Sequence, residues 1–413
     1  MKSYHGTALF SIASALTLVT ASTSSNAKDS RQWYEKIHIG GYVAQGWQSA
    51  FEVDGASALP SDEDAQSGFQ RLRYALHISA KLTDRISIFA ELAEEPNDFS
   101  GITKFAISQD LAWVDVKLND YNNVRVGNLI AYPGSMTFLY YSDGAVVQAN
   151  PLIGNSPVDM ITAEEGVWFL GKKEMGAGKL NWDLSVSTPN FFSDFSDGAG
   201  YDYRANLTYI MDNGFGFGAG IFQTTGDPQC DGGLCILNSG GSVNSSIGLG
   251  DGDNYEFSTG GPATRATHVA LIPAIEASIY QIDVHYENER FMLQGIFGVA
   301  KDDYSFYNGF GSGQFLDKEA KMQYASITTK INLNESIYLT ARYSISSNKS
   351  DGIDDDEILD RYQLGLGYWF DKDILVKAEY VKQTEEANSG GLKTNGNNEA
   401  SWDGFSVELS YHF

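Results

Sequence analysis

Arg71 and Arg73 stand on the same parity of an alternating stretch, with His77 and Lys81 following on that parity. Guanidinium groups spaced by two along an extended chain project from one face. There each can hold a carboxylate or phosphate through parallel N–H donors. Lys117 and Arg125 further on, then Arg204, Arg342 and Arg361, occupy the polar parity of similar stretches. Such a set can recognise anions; it does not by itself make or break bonds. Covalent chemistry has little to work with here. The six His show no HExxH or other metal-ligand spacing, and there is no GxSxG elbow and no P-loop. Asp251-Gly252-Asp253-Asn254 lacks the twelve-residue ligand spacing of a calcium loop. Asp351, Asp354, Asp355, Asp356 and Glu357 read as a solvated acidic loop. No enzymatic activity, metal or cofactor is expected.

The elements that must carry these residues have a period of two. From Phe69 to Lys81 one parity reads Leu72, Tyr74, Leu76, Ile78 and Ala80; the other reads Arg71, Arg73, Ala75, His77, Ser79 and Lys81. Side chains alternate faces along a strand, so this segment has an apolar and a basic face. The pattern returns at Tyr203–Tyr209, Tyr362–Phe370 and Phe405–Phe413, and no helical period is convincing after the first thirty residues. Short polar turns near Thr83–Arg85, Asn119–Asn123, Lys173–Lys179, Asp212–Gly214, Asn288–Arg290, Asn334–Ser336 and Asp371–Asp373 alternate with long acidic connections. Strands are expected to start near Ile37, Phe69, Ile86, Asp110, Val124, Glu165, Leu180, Tyr201 and Phe215. Others start near Ile275, Phe291, Met322, Ile337, Leu359, Ile374 and Trp402. The fold class is all-β: a transmembrane antiparallel β-barrel of about sixteen strands, with short periplasmic turns and long extracellular loops. A miscounted hairpin between Thr224 and Ala274 would make it fourteen or eighteen.

Composition supports an exported barrel. The chain has 413 residues, 28 Lys+Arg against 53 Asp+Glu and a net charge of −25, which repels nucleic-acid phosphates. Aromatics reach 13%, and no apolar run is long enough for a helical membrane span. Lys2, the apolar stretch Leu9–Val19 and the small residues Ser25-Asn26-Ala27 have the parts of a secretory signal. Residues 1–27 are therefore read as a signal peptide and 28–413 as the barrel domain. Too little chain separates Ala27 from Ile37 for the plug of a gated transporter. Cys230 and Cys235, in one long loop, are expected to form a local disulfide in an oxidising compartment.

A barrel in lipid satisfies every backbone amide by closing its sheet, and sixteen strands leave a water-filled lumen unless a loop fills it. Passive passage of small hydrophilic solutes and ions follows, with lipid and lipopolysaccharide outside. The third long loop, Ala131–Ala163, carries Tyr132, Phe138, Tyr140, Tyr141 and Asp143 but no Lys or Arg, and is expected to fold inward as a constriction. Glu91, Asp115, Asp183, Asp202, Glu379 and Glu408 share the polar parity and are expected to neutralise some of the arginines. The anion preference expected from the basic set is for that reason modest. A non-conducting adhesin or structural barrel is the alternative. Tyr411 and Phe413, at the end of an alternating aromatic strand, resemble the C-terminal assembly signal of bacterial outer-membrane proteins.

Phe69-Gln70-Arg71-Leu72-Arg73-Tyr74, Asp110-Leu111-Ala112-Trp113-Val114-Asp115 and Val124-Arg125-Val126-Gly127-Asn128, leading to Tyr132-Pro133-Gly134, together resemble the phosphate-selective porin family over Phe69–Gly171. That resemblance implies a sixteen-stranded, usually homotrimeric barrel that passes anions. The chain departs from the family in having no basic residue between Ala131 and Ala163. A general or carboxylate-preferring diffusion porin fits the sequence equally well.

Overall fold

The computed structural model of the chain describes residues 36–54, 67–94, 108–129, 148–154, 164–188, 201–226, 274–307, 315–350, 357–386 and 399–413. Its strands are β1 (Ile37–Asp54), β2 (Ser67–Lys81), β3 (Ile86–Glu94), β4 (Ser108–Lys117), β5 (Asn122–Leu129), β6 (Glu164–Glu174), β7 (Gly178–Thr188) and β8 (Tyr201–Met211). They continue as β9 (Phe215–Gly226), β10 (Ala274–Glu287), β11 (Phe291–Tyr307), β12 (Phe315–Asn332), β13 (Ile337–Ser350), β14 (Glu357–Asp371), β15 (Ile374–Glu386) and β16 (Glu399–His412). Each pairs antiparallel with its neighbours in sequence, and β1 pairs with β16, so the sheet closes into one sixteen-stranded barrel. The expected starts agree within about three residues except at β12, which begins at Phe315 and not near Met322. Its first residues, Phe-Leu-Asp-Lys-Glu-Ala-Lys, have lost the two-residue apolar period, but the ladder to β11 holds them in register as far as Tyr307↔Phe315.

The period of two separates the wall into two faces. Ile282, Val284, Ile327, Leu364, Leu366 and Leu409 are exposed on the outside. Their neighbours in sequence, Asp283, Thr328, Gln363 and Glu408, are buried on the inside. A soluble sheet would hide the apolar parity; this one presents it to its surroundings, as a lipid-facing barrel must. Aromatic pairs line the outer face beside the short turns: Tyr209 and Phe217 at 5.7 Å, Tyr286 and Phe291 at 6.4 Å, Tyr368 and Phe370 at 4.6 Å, between ring centroids. Rings there suit the boundary between hydrocarbon and water. The turns are closed by side chains that imitate backbone acceptors. Asn119 Oδ1 accepts the amides of Tyr121 and Asn122, and Asn288 and Asn334 repeat the arrangement. Gly214, at φ +86°, takes a left-handed turn position that a side chain would strain.

At the seam, the backbones of Gly41 and Phe413 exchange both hydrogen bonds at 3.1 Å. Arg73 on β2 reaches across β1 to a salt bridge with Glu408 on β16, passing over the small residues Ala44 and Gly46. Lys377 on β15 holds the other Glu408 oxygen at 3.0 Å. A bulge at Gln45 places Arg71 and Leu72 against a single β1 residue. Alternation resets beyond it, so Gln70, not Arg71, pairs with Gly46 on the row that carries Arg73.

Candidate functional site

Residues 148–154, from the third long loop, lie inside the barrel against β13–β16, and Asn150, Leu152 and Ile153 are almost wholly buried. Their backbone is bonded to the wall in both senses. Glu379 accepts the amides of Ile153 at 2.5 Å and Gly154 at 3.1 Å, and also Gln363 Nε2 at 2.7 Å. Arg342 donates to the Gly154 carbonyl at 2.9 Å, to Asn150 Oδ1 at 3.3 Å and to Thr328 Oγ1 at 2.9 Å. Lys377 donates to the Leu152 carbonyl at 3.1 Å and Tyr338 to the Pro151 carbonyl at 3.1 Å. Gln148 extends the attachment to the carbonyl of Asp373 at 3.1 Å. A non-repetitive segment can sit at this depth only if its backbone polar groups find such partners. Gly365 makes the room: a Cβ there would stand 2.7 Å from Leu152 Cδ2.

The wall from β2 to β8 carries different chemistry. Phe89 on β3 stacks on Trp113 of β4, centroids 4.2 Å apart and planes at 23°. Arg125 on β5 lies with its Cζ 4.7 Å from the Trp113 ring centroid and donates Nε–H to Asp115 Oδ2 at 3.0 Å. Trp168 on β6 packs against Trp113, and Arg204 of β8 covers it with Cζ 3.9 Å from its centroid. Asp183 of β7 pairs with Arg204 at 2.6 Å. His77 of β2 joins the row 5.6 Å from Phe89 and pairs with Glu91. Flat rings and guanidinium groups thus line the inner wall from β2 to β8, with Arg125 and Arg204 each aligned by a carboxylate. Gly127, opposite Trp113 and at φ +144°, could not carry a Cβ: that atom would fall 2.0 Å from the Ala112 carbonyl oxygen.

The basic residues singled out in the sequence therefore fall into distinct groups. Arg73, Arg204, Arg342 and Arg361 lie on the inward row and are buried, with Arg73, Arg204 and Arg342 engaged as above. Arg125 and His77 lie on the same inward row and keep part of their surface, 29% and 19% exposed. Lys81 and Lys117 stand at the short-turn rim, paired with Asp84 and Asp120. Arg71 is placed in β2 by its backbone, and its side chain lies outside the described residues, as does that of Asp202. Also outside them are residues 1–27, Tyr132, Phe138, Tyr140, Tyr141, Asp143, Cys230 and Cys235. Phe413 pairs at the seam, and its ring lies 6.0 Å from Tyr411.

Sequence reasoning expected the third long loop to fold inward, and residues 148–154 of it lie inside the barrel, but it missed which residues attach and it missed the aromatic members of the row. Trp113 shares a parity with Asp115 and Lys117, and a lone indole on a polar parity was the available signal. Asn150-Pro151-Leu152-Ile153-Gly154 gives none, because what the wall binds there is its backbone.

No protein-family model matches the chain, and no curated protein matches its sequence. Solved structures do match its fold. OmpT, an outer membrane protein of Vibrio cholerae, is 12% identical, with a TM-score of 0.54 over 91% of this chain and 97% of that one; it has also been seen in a trimer form. The outer membrane channel DcaP of Acinetobacter baumannii is 10% identical, with a TM-score of 0.56 over 91% and 97%. An anion-selective porin from Comamonas acidovorans is 12% identical, with a TM-score of 0.52 over 91% and 99%. The class of fold is that of the outer-membrane β-barrels.

Proposed function

We propose that the chain is an outer-membrane porin, exported by a cleaved signal at residues 1–27, through which small hydrophilic solutes and ions diffuse passively. The observation that carries this reading is the inverted barrel: an apolar outside, a polar inside, and a loop segment fastened to one side of the lumen so that it narrows the interior. A constriction attached by backbone hydrogen bonds is a device for selecting solutes by size and charge. The barrel stands in the lipid and lipopolysaccharide of that membrane as a homotrimer, a state in which one structural neighbour has been seen. The name of the Comamonas neighbour favours anions. Here that preference is modest, because Arg73, Arg125 and Arg204 each face a carboxylate. Phosphate selectivity of the kind the sequence resemblance implies would need cations beyond these pairs.

Single-channel recording of the refolded protein in a planar bilayer under a salt gradient tests the reading. Discrete conductance steps with a weakly anion-selective reversal potential are expected. Absence of steps would replace it with a non-conducting adhesin or structural barrel.

A further inference from the structure

We infer that the row from Phe89 to Arg204 is a binding site for planar monocarboxylates, aromatic acids in particular; this rests on the channel reading, since the row is reached through the lumen. Arg125 is the anion receptor. Its Nε edge is fixed by Asp115 and its plane by Trp113, and its two terminal nitrogens have no hydrogen-bond partner among the described residues. Two nitrogens in one plane match the two oxygens of a carboxylate. A dianion such as phosphate is disfavoured, because Asp115 and Asp183 stand in the same row and already offset Arg125 and Arg204.

The body of the solute is specified by what surrounds that edge. Phe89 and Trp113 are only half-buried, so the stack presents ring surface beside the guanidinium. Rings favour other rings through offset or edge contact, and guanidinium planes favour flat partners. Trp168, opposite Arg125 in register, is 4% exposed, and its indole N–H is buried without an acceptor among the described residues. A donor left in that state favours any acceptor brought to its neighbourhood. Residues 148–154 attach at β13–β16 and not on these strands.

The test uses the detergent-refolded full chain and saturation-transfer NMR, which needs no conductance. Benzoate is compared with cyclohexanecarboxylate, which has the same charge and nearly the same size but is not planar. Benzoate is expected to bind roughly three- to tenfold more tightly, the range an aromatic contact supplies, and inorganic phosphate at equal concentration should not displace it. Trp113→Leu should remove the benzoate advantage and, because the indole also fixes the Arg125 plane, weaken both acids, benzoate the more. Phe89→Leu, which leaves both guanidinium groups and both indoles in place, should reduce the advantage if Trp113→Leu fails to fold. Arg125→Gln should weaken both acids. Equal binding of the two acids, displacement by phosphate, or a benzoate advantage that survives both aromatic variants would overturn the inference. A protein that shows the preference by NMR yet gives no bilayer steps would retain the site and lose the channel reading.

Discussion

Replacing Glu379 with Ala should release the segment fastened inside the barrel. The carboxylate accepts two backbone amides, from Ile153 at 2.5 Å and Gly154 at 3.1 Å, and is itself almost wholly buried. A buried donor left without an acceptor costs about 1–3 kcal/mol, so two cost roughly 2–6 kcal/mol against the docked state. At about 1.4 kcal/mol per factor of ten, the docked-to-released ratio should fall by roughly 30-fold to 10⁴-fold. In planar-bilayer recordings the variant should show larger unitary conductance and frequent transitions between levels. Arg342→Ala removes donors to the Gly154 carbonyl and Asn150 from the same segment and should act in the same direction, with a less-than-additive double variant. Glu379→Gln keeps an acceptor oxygen while losing the charge. If Gln behaves like Ala, charge in the lumen and not attachment sets the conductance. Unitary steps of Glu379→Ala matching the parent in both size and noise would refute the reasoning.

Other outcomes follow from the same geometry. Arg125→Glu should move the reversal potential toward cations, and an unchanged potential would remove Arg125 from the ion path. Arg73→Ala takes one cation from the buried Glu408, and loss of one partner of a buried ion pair costs about 3–5 kcal/mol. The heat needed to shift the folded band in semi-native electrophoresis should drop, whereas an unaltered transition would mean that water relieves the charge. Gly365→Leu drives a side chain into the position of Leu152 and should raise proteolytic cleavage near residue 152, with the strands intact. Phe413→Ala should slow folding into lipid vesicles, read as the rate at which the heat-modifiable form accumulates.

Much of this molecule is written in its alternation. Strand starts such as Ile37, Ile86, Tyr201, Phe215, Phe291, Ile337 and Ile374 coincide with the expected ones because hydrocarbon outside and water inside enforce a strict period of two. Where the alternation lapses the signal fades. The first residues of β12 pair with β11 without an apolar alternation, so their composition gives no strand signal. Near Arg71 the alternation meets an irregularity that the sequence does not announce. Counting by two assumes an unbroken ladder, whereas the β1–β2 register shifts between Ala44 and Gly46, and bulges leave little trace in residue types; the side chain of Arg71 itself lies outside the described residues. The pairing of arginines with carboxylates was legible, since Asp115, Asp183 and Glu408 share the inward parity. The place where residues 148–154 attach was not: carbonyls and amides are common to every residue, and only the wall side chains that bind them carry information.

The salt bridge that crosses β1 has a consequence for the order of assembly. Arg73 and Glu408 are separated by 335 residues, and nothing local brings them together. Each of the fifteen sequential hairpin and loop pairings can zip as its strands emerge, but the β1–β16 pairing waits for all the strands between them. Until then two open strand edges are exposed, the state most prone to wrong partners. A charge pair spanning three strands rewards only the correct alignment of β2, β1 and β16, since a slip of one residue would turn one ion outward into lipid. The seam thereby reads its own register at the moment of closing, with an ion pair where an apolar contact would have accepted the neighbouring alignments as well.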